Sequence, residues 1–207
     1  AIWLYRLCIL ESNDYRGIDT AIVSKYKILK SKLHYINFSG KFSEKDTRPI
    51  LESTLLINNK NVRFYNVHFP SGFYDVSMRI DSLNTLKKLK NNQDLPTIAF
   101  GDFNVNSKED NKYNIYESQQ DTWEVAHIYG CENCKGSFFY NYGQSWDFLD
   151  SIFVSKKDSL SFKSNSINIH RTNFNSYSDT GKPIKFNAYR KKGVSDHLPM
   201  VAVIELN

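Results

Sequence analysis

Four short segments set polar residues able to bind a metal or move a proton beside an apolar run of strand length, and this arrangement constrains the fold more than any other feature. The segments are Asn66-Val67-His68-Phe69-Pro70-Ser71, Gly101-Asp102-Phe103-Asn104, Trp146-Asp147-Phe148-Leu149-Asp150-Ser151 and Ser195-Asp196-His197-Leu198-Pro199. Strand ends on one rim of a sheet converge on a shared crevice, so four such endings point to a sheet with one chemically equipped edge. Each segment alone has a plainer meaning. Gly, Asp and Asn are turn formers, and Ser and Asp cap helices. His68 alone reads as a half-buried histidine, and Asp150 as a strand-end carboxylate answering a backbone N–H. Their joint occurrence in one chain favours a site.

The stretches between these endings predict an α/β domain. Residues 18–24 read as a buried strand after the turn-forming Asn13-Asp14-Tyr15-Arg16-Gly17, and a polar Lys-rich stretch follows. Residues 52–57 and 62–68 read as two strands joined by Asn58-Asn59-Lys60-Asn61, where Asn tolerates positive φ. From 75 to about 91, Val76, Ile80, Leu83, Leu86 and Leu89 recur at spacings of three and four, which marks one face of a helix. Lys87, Lys88 and Lys90 suit the negative end of its dipole. Thr97-Ile98-Ala99-Phe100 reads as a short buried strand ended by Gly101. Residues 148–155 and 200–206 are the last convincing strands. The polar stretch 156–193 between them reads as loops, with one short strand near 166–170. Strands interleaved with few helices argue for a sheet-rich α/β domain rather than a bundle.

The 207 residues supply 14 Phe and 13 Tyr, ample for a substantial core, and a single domain over 1–207 is expected. A formal charge of +5 leans mildly toward an anionic partner. The apolar run at 2–10 is interrupted by Arg6 and falls well short of the length needed to cross a bilayer. Cys131 and Cys134 form Cys-Glu-Asn-Cys without a second pair to complete a zinc site. In an oxidising compartment they form a small disulfide and in a reducing one they are two loop thiols; a plain polar loop is the simpler expectation.

Taken in order, the motifs resemble the endonuclease/exonuclease/phosphatase superfamily, which includes pancreatic deoxyribonuclease, abasic-site endonucleases, sphingomyelinases and inositol polyphosphate phosphatases. The resemblance runs from about Asp14 to the C-terminus through Arg16-Gly17-Ile18-Asp19, His-Phe-Pro-Ser, Gly-Asp-Phe-Asn, Leu-Asp-Ser-Ile-Phe-Val-Ser and Ser-Asp-His-Leu-Pro. It implies a four-layer sandwich of two mixed β-sheets flanked by helices, with the site at one rim. It also implies that Asp102 and Asn104 bind the metal and hold water and phosphate oxygen, that Asp196 is a further metal carboxylate, and that His197 meets the scissile phosphate. Asp150 is then the carboxylate that orients His197, and His68 the second histidine. From motif position Asp19 is expected to pair with His68. Arg16 is a candidate phosphate contact, although an arginine in a turn is more often simply solvated.

The chemistry fits these residue types. An anionic phosphodiester repels hydroxide, so the site needs positive charge on the phosphate oxygens and a positioned base. Mg²⁺, or Mn²⁺ or Ca²⁺ in its place, prefers carboxylate and amide oxygens. Members of the superfamily also carry an Asn and a Gln-Glu motif upstream of the region matched here. The domain is therefore expected to lack its N-terminal strand and those motifs, and the chain alone is expected to bind the cation weakly and cleave poorly. A nuclease acting on DNA or RNA is the leading expectation, as a monomer; its location is open, with secreted or periplasmic favoured. A lipid or inositol phosphodiesterase or phosphatase of the same superfamily, or a non-catalytic scaffold that has lost its metal site, are the competing ones.

Overall fold

A computed structural model describes residues 5–14, 16–131 and 134–207. The first half of the chain contains β1 (Arg6–Ile9), β2 (Ala21–Ser24), β3 (Lys27–His34), β4 (Ile50–Ile57), β5 (Lys60–His68), α1 (Val76–Asn91) and β6 (Thr97–Asp102). Then come α2 (Ser107–Tyr113), β7 (Trp123–Val125), α3 (Ala126–Tyr129), β8 (Phe138–Tyr140), β9 (Ser145–Asp147) and β10 (Asp150–Ser155). The chain closes with β11 (Leu160–Phe162), β12 (Asn168–Ile169), β13 (Met200–Val201) and β14 (Ile204–Leu206).

Six strands form one mixed sheet in the order β3-β4-β5-β6-β10-β7, with β5 and β6 parallel and the other neighbours antiparallel. Period-two alternation sorts its side chains between two faces. Tyr65, Val67, Ala99 and Phe153 pack on one face with Met78, Leu83 and Leu86 of α1 and with Phe103, Tyr116 and Trp123. Each of those fully buried α1 side chains contributes roughly 1.5–3 kcal/mol. On the opposite face Val62, Ile98 and Val154 meet Leu160, Phe162 and Ile167, with Ile204 and Leu206 against them. Cys8 and Ile22 of β1 and β2 join Leu51, Phe64 and Phe100 there.

Local chemistry explains the elements. Asn58 and Asn59 take φ of 50° and 60°. A two-residue hairpin turn of type I′ requires such a pair of positive values, so β4 and β5 reach to Ile57 and Lys60. The turn is shorter than the Asn58-to-Asn61 loop expected. Asp75 caps α1 by accepting the Ser77 N–H at 3.0 Å. Buried Arg79 in its first turn donates to the carbonyls of Pro70, Ser71 and Tyr74 and pairs with Glu109, which ties down the loop after β5.

Several expectations change. β2 begins at Ala21, and the preceding turn is closed by Gly17 N–H to Asp14 O at 2.9 Å; Tyr15 within it lies outside the described residues, as do residues 2–4 of the apolar run. The Lys-rich stretch contains β3, an edge strand. β6 does not stop at Gly101 but runs through it to Asp102. Cys131 and Cys134 are joined by a disulfide rather than left as loop thiols. Of the two expected sheets, the described residues form one central mixed sheet; the remaining strands pair two by two, β1 with β2, β8 with β9, β11 with β14 and β12 with β13. No helix among the described residues is long and apolar enough to cross a membrane.

Candidate active site

Three of the sequence-selected residues form a single row. Register pairs His68 of β5 with Asp102 of β6, and Asp102 with Asp150 of β10. They share the strand parity of Phe64, Phe100 and Ile152, so all three rise from the same face at the same rim. Gly101 makes the row possible. Its φ is +133°, and a Cβ there would lie 2.1 Å from the Val67 carbonyl oxygen. Only glycine therefore lets β5 and β6 stay paired at this level. His68 Nε2 then lies 3.5 Å from Asp102 Oδ2.

Past Asp102 the chain turns sharply. Asn104 takes φ +55°, its N–H donates to Asp102 Oδ1 at 2.8 Å and its Nδ2 donates to Phe69 O at 3.0 Å. The side-chain amide is thus fixed with its donor end committed, leaving Oδ1 as its acceptor.

His197 arrives from the far end of the sequence and is held by Gly136-Ser137-Phe138. Phe138 makes a β-bridge with His197, and their rings are 5.0 Å apart. Buried Ser137 joins both sides of the site: its hydroxyl accepts the Asp150 N–H at 3.0 Å and its carbonyl accepts the Leu198 N–H at 2.7 Å. His197 Nδ1 consequently sits 2.7 Å from Asp150 Oδ2. One ligand atom each of Asp102, Asp150 and His197 lies within 4.8 Å of the others, and this is the metal-competent group found among the described residues.

Electrostatics separate the two histidines. Burial, with the positive charges of Arg48, His197 and Arg16, pushes His68 down to about 4, so it is neutral at pH 7. Burial also opposes charge on His197, but the Asp150 hydrogen bond and the charges of Asp150, Asp102 and Asp196 outweigh it and raise this imidazole above its usual value. Burial and the like charge of Asp150 push the Asp102 carboxyl up to about 7. A cation beside Asp102 would reverse that penalty, and a donor set of carboxylate and amide oxygens suits a hard divalent ion.

Other sequence-selected residues lie apart from the row. Asp19 does not pair with His68; its Oδ1 accepts the Ser12 N–H at 3.0 Å, because the glycine turn at Gly17, φ +64°, folds this segment back on residues 12–14. Arg16 binds Asp14, with Nε to Oδ1 at 3.4 Å. The Asp196 side chain is 49% exposed and lies 3.2 Å from Lys185 Nζ, outside the tight group. Burial opposes ionisation of its carboxyl, but the Lys185 hydrogen bond keeps it below the usual range. Sequence reasoning misses Arg48. This buried cation donates to His68 O at 3.1 Å and Phe69 O at 3.3 Å and lies 4.0 Å from Asp14. Nothing but the following Pro49 marks it in a polar stretch. Ser137 and Phe138 are missed as well, since a serine and a phenylalanine in a loop carry no chemical signature.

The sequence model of the Endonuclease/Exonuclease/phosphatase family matches residues 3–197. No curated protein matches the chain by sequence. Among solved structures, an endonuclease/exonuclease/phosphatase family protein from Leptotrichia buccalis C-1013-b superposes with a TM-score of 0.70 at 17% identity, covering 99% of this chain and 73% of that one. The D. rerio TDP2 complexed with a single-strand DNA product superposes at 0.67 and 16% identity, covering 97% and 77%. The mannosyl-6-phosphatase of Bacteroides thetaiotaomicron VPI-5482 superposes at 0.62 and 17% identity, covering 97% and 76%. With nearly its whole length matched by the family model and its fold shared with these structures, the chain belongs to the endonuclease/exonuclease/phosphatase family of hydrolytic phosphoesterases.

Proposed function

We propose that this protein hydrolyses phosphodiesters with the help of a divalent cation and acts as a nuclease on DNA or RNA. The observation that carries the reading is the row His68, Asp102 and Asp150 on three adjacent strands, closed by His197 on Asp150. Asp102 and Asn104, with Asp196 at the rim, are the residues that would hold Mg²⁺, or Mn²⁺ or Ca²⁺. Such an ion, when bound, supplies positive charge to the phosphate oxygens and lowers the pKa of coordinated water.

The remaining work falls to this chain's own groups. Asp150 takes the Nδ1 side of His197, fixes its tautomer and raises its basicity, which leaves Nε2 for the scissile phosphate. His68 is neutral at working pH and so is available as a proton acceptor. Arg48 anchors the end of β5 beneath it, and Arg16 stands nearby as a candidate phosphate contact. Asp19, bonded to Ser12, acts on the turn rather than on His68.

The nuclease reading is supported by the +5 balance and by the fold shared with the TDP2 that is complexed with a DNA product. The Cys131–Cys134 disulfide supports a secreted or periplasmic location, and we read residues 1–207 as one monomeric domain. The two-stranded pairs opposite α1 are read as the second sheet of a four-layer sandwich, on the strength of the apolar cluster beneath them.

A release assay tests the proposal. The full-length protein is given plasmid DNA, RNA and sphingomyelin side by side, each with Mg²⁺ and with chelator, and His197→Ala is run in parallel. Cleavage of DNA or RNA that requires the metal and falls at least ~100-fold in the variant is expected. Cleavage that survives chelation, or hydrolysis of sphingomyelin alone, would overturn it.

A further inference from the structure

Residues 171–194 carry six Lys and Arg against one acid, Asp179; this local balance equals the +5 of the entire chain, so the rest of the sequence is neutral in sum. Exposed aromatic rings are set among these cations. Phe174 and Tyr177, then Phe186 and Tyr189, stand three residues apart, and Tyr189 is fully exposed. The residues between them are mainly Asn, Ser, Thr and Lys.

The segment is fastened to the site. Lys182 Nζ sits 3.8 Å above the Phe139 ring of β8, and the Arg171 guanidinium 5.6 Å above the Trp146 ring of β9. Both are cation–π contacts, which hold a charged stem against an aromatic face. Asn187 N–H donates to Lys192 O at 2.9 Å and Val194 N–H to Ile184 O at 3.0 Å, which shapes a hairpin with its tip at 187–192. Gly193, φ +75°, closes its base, where a Cβ would lie 2.4 Å from the carbonyls of Ile184 and Lys185. His197 follows almost at once, and Lys185 reaches Asp196 beside it. Among the described residues Arg190, Lys191 and Lys192 make no ion pair, so the charge of the tip faces outward.

We propose that this hairpin ledge binds single-stranded nucleic acid and leads it to His197. The inference rests on the phosphodiesterase reading of the adjoining site and adds the substrate class. Rings at intervals, interleaved with cations, match a strand whose bases are free to stack while its phosphates meet Lys and Arg. A paired duplex hides its base faces, and a membrane-seeking segment needs a continuous apolar edge that Asn, Ser and Lys interrupt here.

Binding is measured in chelator by anisotropy of a labelled oligothymidylate, with duplex DNA and anionic phosphatidylserine vesicles as the comparison arms. The single strand is expected to bind tightest. Phe186→Ala with Tyr189→Ala should weaken it at least ~5-fold while leaving hydrolysis of bis(p-nitrophenyl) phosphate with Mg²⁺ unchanged. Arg190→Ala, Lys191→Ala and Lys192→Ala together should reduce the salt slope of binding by ~2. Wild-type affinity in both variants, or tighter binding of duplex or vesicles than of single strand, overturns the ledge. The binding arm needs no turnover: a wild-type protein that binds the single strand yet never hydrolyses a diester refutes the phosphodiesterase reading and supports the ledge.

Discussion

At Gly101 the absence of a side chain sets the geometry of two others. A methyl group there would meet the Val67 carbonyl at 2.1 Å, and that carbonyl belongs to the strand carrying His68. Gly101→Ala is therefore expected to cost more than ~2 kcal/mol in urea unfolding, through backbone clash and positive φ together. Wild-type stability would show that β5 and β6 part easily. His127 gives a pH-dependent prediction away from the site. It lies over Phe148 with centroids 4.7 Å apart, edge-on to Tyr116, with Nδ1 3.1 Å from the Ser151 hydroxyl. Burial pushes it down to about 4 from 6.5, so between those values the unfolded chain holds more protons than the folded one. Its contribution is complete above about pH 6.5 and is lost as the pH falls toward 4. After allowance for its partial exposure, this contribution is on the order of 2 kcal/mol. His127→Phe keeps the packing and removes the titration. The drop in melting temperature between about pH 7 and about pH 4.5 should be smaller in the variant, and an equal drop would exclude this origin.

At the scale of elements, the sheet carries an internal charge cluster. Glu52 on β4 faces Arg63 of β5 at 3.4 Å, with His34 at 2.7 Å and Lys32 at 3.7 Å, and both Glu52 and Arg63 are almost fully buried. Glu52→Gln leaves the Arg63 cation without its counter-charge and should cost roughly 3–5 kcal/mol, read as a lower urea midpoint. Elements with a clear period or turn were legible in the sequence: α1 from its three-four spacing, and the β4–β5 hairpin from its asparagines. β3 was not legible, because it is an edge strand whose exposed Lys27, Lys30 and Lys32 break the apolar run that marks a strand. β8 and β9 are three residues each, too short for a period to register. The same division holds at the site. His68, Asp102, Asp150 and His197 were legible because each stands beside an apolar strand-length run. The partner of Asp19 depends on how a glycine turn folds back, and Arg48 acts through carbonyls, so neither left a motif.

Over the whole molecule, residues far apart in the chain meet because β5, β6 and β10 are neighbours and Ser137 joins β10 to the segment carrying His197. The net positive charge lies in 171–194, just before His197 in the chain, so the proposed ledge is a separate part from the oxygens and imidazoles of the site. The central claim is that Asp102, Asn104, Asp150 and His197 serve one cation and one phosphorus atom. Anomalous diffraction from crystals soaked in Mn²⁺ and thymidine monophosphate tests it most directly. The account predicts a manganese peak on the Asp102 carboxylate and the Asn104 amide oxygen, with the phosphate against His197. Manganese bound elsewhere, or phosphate distant from His197, would contradict it.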